Sequence, residues 1–322
     1  MSRRSRQKEF STCSVFSVLF FTLCLSVFLL KPADAADNAR STMPPVNCKA
    51  GSDIPVEYGS VVYRYNEKSR NQIYIIGLSH RDALTGASGD TTLKAQIETY
   101  RIGEWLIKNS GLELLLPEGF FERAEKGDKA EAGGQACASQ ATKGPTLTGN
   151  ETLEKLLGDE KHYINAEMLL KERYKMDTRQ IEDSQLYIDV GKKLAHIEAS
   201  GSDADDFIVS QSELEYLQSL RTARMFQNIP AVIHREYLSG HIRNEKALFT
   251  IGLAHLYDII TFLNKNKIAI YPPLFAPARC KDYTAELDLV KYDFGVTVII
   301  PKTLAGDRKI LRATRLNRMV VR

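Results

Sequence analysis

The stretch Gln72-Ile73-Tyr74-Ile75-Ile76-Gly77-Leu78-Ser79-His80 is a β-branched and aromatic run that ends at a glycine and delivers a histidine three positions later. The same pattern returns at Ile251-Gly252-Leu253-Ala254-His255, behind the apolar run Lys246 to Ile251, which reads as a buried strand. Outward from the first of these, Ser60 to Tyr65 alternates loosely and reads as an earlier strand. Thr92 to Lys108 places Leu93, Ile97, Tyr100 or Arg101, and Trp105 at helical spacing, and Leu112 to Leu116 is a short apolar run stopped by Pro117. Strand, helix and strand in this order form a β-α-β unit, whose crossover makes the two strands parallel.

Helical patterns continue at Thr152–Leu157, Asn165–Tyr174, Gln185–Ala199 and Glu213–Asn228. A further helix is expected from Pro230 to about Asn244, because proline suits a first turn. His255 to Asn264 reads as a helix with Leu256, Ile259, Ile260 and Leu263 on one face, and Phe294 to Ile300 as a last strand. The expected fold is α/β: a central mixed or mostly parallel sheet flanked by helices, with a helical middle segment.

Parallel strands deliver their carboxyl ends to one edge of a sheet, where open α/β sheets place their ligands. His80 and Glu118 follow such ends, and a parallel strand before His255 would bring that residue to the same edge. In each repeat the glycine permits a sharp turn, and the helix that starts at His255 disfavours imidazolium through its N-terminal partial charge. Two neutral imidazoles and a carboxylate suit a divalent metal ion with an open coordination position, which makes His80, Glu118 and His255 the candidate ligands. Other chemistries lack their signatures. There is no His-Glu-x-x-His, no Gly-x-Ser-x-Gly elbow, no glycine-rich phosphate loop and no zinc-knuckle spacing. His234 and His241 read as part of a polar helix face.

These elements, in this order, resemble the TraB/TIKI family of metalloproteases within the wider erythromycin-esterase-like group. The resemblance runs from about Ile73 to Tyr271 and rests on Gly77 and His80, on Glu118 in Leu115-Leu116-Pro117-Glu118-Gly119, on Arg221 four residues before Met225, and on Gly252 and His255. A further family glutamate looks like Glu182 in Ile181-Glu182-Asp183-Ser184-Gln185. The first motif reads Gly-Leu-Ser-His where many members have Gly-Thr-x-His, and Thr222 stands where Asn or Asp is common. The resemblance implies a metal-dependent hydrolase, a peptidase acting on a peptide or small-molecule substrate. Glu118 would ligate the metal or act as general base, Arg221 would hold an oxyanion or a substrate carboxylate, and either Glu118 or Glu182 could be the ligand. The alternatives are a haem- or iron-binding exported protein without hydrolysis, and an interaction protein in which the histidines merely pack.

The N-terminal Arg3, Arg4, Arg6 and Lys8 precede an apolar run from Cys13 to Leu30 and the small-x-small site Ala33-Asp34-Ala35, the pattern of a cleavable export signal. Residues 1–35 are therefore expected to be removed, giving a periplasmic or secreted protein; an uncleaved membrane anchor is the alternative. Their five basic and two acidic residues account for the formal charge of +3, so the mature chain is neutral and nucleic acid is not an expected partner. Residues 36–58 read as a leader, 59–301 as the α/β domain, and 122–150, rich in Gly, Ala, Lys and Glu, as a mobile insertion. After Pro301 seven basic residues face Asp307 alone, a net of +6. That segment could be an arm giving weak membrane-surface contact, or a basic tail packed on an acidic body. Among the mature cysteines, Cys48 with Cys280 is the preferred pair over Cys137, with three unpaired thiols as the alternative.

Overall fold

The computed structural model describes residues 54–79, 89–122, 152–158, 164–199 and 204–319. The export signal, the leader up to residue 53, His80, most of the 122–150 insertion, Cys48 and Cys137 lie outside the described residues. No helix among the described residues is long and apolar enough to cross a membrane.

Among the described residues six strands build the main sheet: β1 (Gly59–Tyr65), β2 (Asn71–Leu78), β3 (Leu114–Pro117), β4 (Asp177–Thr178), β5 (Lys246–Gly252) and β8 (Phe294–Pro301). Their order is β1-β8-β2-β5-β3-β4, parallel throughout except for β1, which pairs antiparallel with β8 at one edge. The sheet is thus mixed and mostly parallel. The central strands are continuous apolar runs because both faces are covered. Ile73 and Ile75 of β2, Phe249 and Ile251 of β5 and Leu114 and Leu116 of β3 join one core cluster, while Ile76, Leu248 and Leu115 join another on the opposite face.

Helix α1 (Asp90–Ser110), α2 (Leu153–Leu157) and α3 (Ala166–Tyr174) cover the second face, with Tyr100, Ile102, Leu106, Leu156 and Leu169 buried there. Thr152 and Asn165 cap α2 and α3 by accepting from the backbone N–H of Lys155 and Met168, which is why both helices start where the sequence places them. The first face carries α5 (Ala204–Leu238) and α6 (Leu256–Lys265), while α4 (Ser184–Ala199) packs beside α5 around Val190, Leu194, Ile197 and Leu214. A separate antiparallel hairpin, β6 (Lys267–Ile270) with β7 (Tyr283–Glu286), follows α6; the sequence reading missed both strands.

One expectation is corrected, and one pair of alternatives is decided. Pro230 does not start a helix but lies inside α5. Phe226, Ile229 and Ile233 on either side of it are buried in one cluster, so an unbroken apolar face offsets the ~3 kcal/mol that an internal proline costs. The segment after Pro301 follows the packed alternative: α7 (Lys302–Gly306) and α8 (Arg308–Ala313) lie on the body, with Leu304, Leu311, Leu316 and Met319 in the core. Thr303 donates from its backbone N–H and its hydroxyl to Glu98 of α1 at 2.8 and 2.6 Å, while Arg308, Lys309, Arg312 and Arg318 remain exposed.

Candidate functional site

Strands β2, β5 and β3 are neighbours, so the strand ends that precede His80, His255 and Glu118 lie side by side at one edge. The registers Leu78↔Gly252 and Pro117↔Thr250 bring these ends nearly level. A 3-10 turn, Leu253–His255, connects β5 to α6, and His255 is the N-cap residue of that helix.

Glu118 is anchored at both ends. Its backbone N–H donates to Thr250 O at 2.9 Å, and its Oε2 accepts from the Gly252 N–H at 2.6 Å. Its Oε1 lies 3.0 Å from the Arg221 guanidinium and 3.5 Å from His255 Nε2. The chain reverses immediately after it: Phe120 N–H reaches Pro117 O, and Gly119 takes a φ of +75°, the left-handed value a type II turn requires at that position.

Arg221 of α5 is 2 % exposed. Its Nε donates to Glu182 Oε2 at 3.1 Å and its Nη2 to Glu182 Oε1, a two-pronged grip, and its guanidinium stacks on Tyr187 at 5.1 Å. Glu182 also accepts the Gly119 N–H at 3.1 Å, so it secures both the arginine and the turn after Glu118. Burial opposes the charge on Arg221, but Glu118 and Glu182 outweigh it and raise its pKa further. The resemblance implied that Arg221 holds an oxyanion or a substrate carboxylate; here each of its three nitrogens faces a carboxylate of the protein and it points inward. Glu182, with no exposed side-chain surface, faces Arg221 rather than His255.

The tautomer of His255 follows from its neighbour. Thr222 Oγ1 donates its only hydrogen to Gln218 O at 2.9 Å, so at 2.6 Å from His255 Nδ1 it must accept. Nδ1 therefore carries a hydrogen and, in the neutral ring, Nε2 carries the lone pair that faces Glu118 Oε1. Two lone pairs at 3.5 Å repel unless a proton or a metal cation lies between them.

A third carboxylate, missed by the sequence reading, completes the edge. Glu167 of α3 accepts from the Thr250 hydroxyl and, at 2.9 Å, from Asn165 Nδ2. Although the residue as a whole is only half-buried, its carboxyl is enclosed. Burial raises its pKa to about 7, assisted by the charge of Glu118 and opposed by the Thr250 hydrogen bond.

Two of the residues present stand at the spacing of ligands on one cation. Donors each ~2.1 Å from one tetrahedral ion are about 3.4 Å apart, and His255 Nε2 and Glu118 Oε1 are separated by 3.5 Å. Glu118 and Glu182 face Arg221, while Glu167 feels the charge of Glu118. Among the described residues no set of three His, Cys, Asp or Glu side chains is grouped to hold a metal, and His80 is not one of the described residues.

The repeated glycines work differently from the expectation. Neither has a positive φ. Gly77 lies within β2, where a Cβ would come 2.5 Å from Leu256 Cδ1 and 2.6 Å from Leu253 Cδ1, so the second motif packs directly on the first. His234 pairs with Glu245 at 2.6 Å and His241, beyond the end of α5, with Glu236 at 2.8 Å, both away from this edge. Cys280 is buried, while its expected partner lies outside the described residues.

Compared with known proteins, the chain matches no family model, no curated protein and no solved structure.

Proposed function

We propose that this protein is an exported metal-dependent hydrolase, a peptidase resembling the TraB/TIKI group, working at the carboxyl edge of β2, β5 and β3. The observation that carries the reading is the 3.5 Å approach of His255 Nε2, its lone pair fixed outward by Thr222, to Glu118 Oε1. His255 and Glu118 would hold the ion, with His80, two residues beyond β2, as the sequence's third candidate. When bound, a divalent ion polarises a carbonyl and acidifies a water molecule.

The protein's own groups set the rest. Gly252 N–H and Arg221 hold the Glu118 carboxylate in one orientation, Glu182 holds Arg221, and Thr222 holds the imidazole. Arg221 and Glu182 are in this reading positioning residues rather than substrate contacts. Glu167, whose carboxyl titrates near neutrality, is the group at this edge suited to exchange a proton at working pH.

The test is metal analysis of purified protein together with hydrolysis of a peptide library by wild type, His255→Ala and Glu118→Gln. Stoichiometric metal lost in His255→Ala, with Glu118→Gln folded but at least about a hundredfold slower, supports the reading. Metal-free protein that does not bind added zinc or manganese overturns it, as does unchanged hydrolysis by Glu118→Gln. A Soret band on haem addition without any hydrolysis would instead favour the ligand-binding alternative.

A further inference from the structure

At the opposite, amino edge of the sheet lies a cavity of about 550 Å³ that the hydrolase reading does not use. Its size falls within the roughly 300–1,000 Å³ usual for small-molecule sites. Its floor is a lateral row across three strands: Arg64 of β1 pairs with Thr297 of β8, and Thr297 with Tyr74 of β2. Residues paired across a sheet point to the same face, and two strand spacings of ~4.8 Å put the Arg64 and Tyr74 backbones about 10 Å apart. Trp105 of α1 forms a wall over the same face, half-buried like Tyr74.

The charges in this cavity are unequal. Arg64, Arg70, Arg243 and Lys246 line it against Glu67 and Glu245, an excess of two positive charges. Arg243 is committed to Glu113, and Lys246 donates to Ser110 O at the end of α1 at 2.8 Å. Glu245 accepts from or pairs with His234 at 2.6 Å. Arg64 is held only by a long 3.8 Å pair with the exposed Glu67, and Arg70 is exposed with no hydrogen bond or ion pair among the described residues. Two arginines with unspent donor capacity therefore line a polar cavity whose lining also includes the aromatic rings of Trp105 and Tyr74.

We infer that this cavity binds a small aromatic anion, its phosphate or carboxylate head on Arg64 and Arg70 and its planar body against Trp105 and Tyr74. Arginine suits this role through its planar fork, which matches both head groups, and tryptophan through its capacity to stack on a ring. The site lies at the other end of the strands from His255 and Glu118, so occupancy is independent of the hydrolytic chemistry.

The chain contains one tryptophan, so emission from Trp105 reports on this cavity alone. The experiment titrates the purified protein with AMP and phenyl phosphate, and with adenosine and inorganic phosphate as half-ligands, reading Trp105 emission and calorimetric heat. The expected result is a saturable emission change with one of the aromatic phosphates at a Kd that calorimetry reproduces. Each half-ligand should bind at least about tenfold more weakly, and Arg64→Gln and Arg70→Gln should each weaken the aromatic anion by about tenfold or more. Glu118→Gln should leave that Kd unchanged. The inference is overturned if neither aromatic phosphate binds, if adenosine binds as well as AMP, if both arginine variants, shown folded by circular dichroism, keep the wild-type Kd, or if Glu118→Gln is the variant that abolishes binding.

Discussion

Breaking the Arg221–Glu182 pair from one side should cost far more than removing both partners together. Arg221 is 2 % exposed, with two of its nitrogens on Glu182 and the third 3.0 Å from Glu118. Arg221→Met strands two carboxylates in a closed site, and Glu182→Met strands the guanidinium with half of its partners. Loss of one member of a buried pair costs about 3–5 kcal/mol, a large part of the 5–15 kcal/mol that typically holds a domain folded. In the double variant no unpaired member of that pair remains, and well-packed apolar replacements are often close to neutral. The double variant should therefore fall short of the summed single costs by at least about 2 kcal/mol, a coupling expected of contacting groups. Equilibrium urea unfolding measures it: with a slope of about 3 kcal/mol per molar, each single variant lowers the midpoint by roughly 1–1.7 M. Single costs that add within about 0.5 kcal/mol would refute the reasoning and show that Arg221 and Glu182 are adjacent without being mutually dependent.

Thr222→Val removes the acceptor that fixes His255 Nδ1–H; hydrolysis should fall by at least about tenfold while Thr222→Ser restores most of it, measured as kcat/KM on one peptide. Gly77→Ala drives a methyl group into Leu253 and Leu256, and thermal unfolding should show a loss of about 1–3 kcal/mol. Glu167 has a folded-state pKa raised from 4.5 to about 7, so the native state binds the proton more tightly. Its stabilising contribution is complete below pH ~4.5 and is lost as pH rises through ~7, at most about 3 kcal/mol. In chelator-treated protein, Glu167→Gln should flatten that slope in urea unfolding between these pH values; an unchanged slope would show that another group causes it.

The element pattern was legible where local physics is strong. Thr152 and Asn165 announce the starts of α2 and α3 because a side-chain oxygen before a helical run has one obvious use, and the apolar runs of β2, β5 and β8 follow from burial on both faces. Pro230 misled because its local preference for a first turn was outweighed by the buried face of α5, which is a property of packing. The repeated Gly-Leu-x-His pattern follows β2 and β5, whose ends share one edge of the sheet, but it did not explain itself. Gly77 is small because Leu253 and Leu256, far away in sequence, lie on it.

The sequence by itself determined the α/β class, the place of β1, β2, β3, β5 and β8 along the chain, and the candidacy of Glu118, Glu182, Arg221 and His255, since these depend on periodicity, turn chemistry and residue type. Only the tertiary structure decided that β5 lies between β2 and β3, that Arg221 is turned inward onto two carboxylates, and that Thr222 and Glu167 belong to the site. Strand order, burial and a hydroxyl that donates to one group while accepting from another are set by what the folded chain brings together. A linear sequence records which groups are available, while their pairing depends on distances that exist only after collapse.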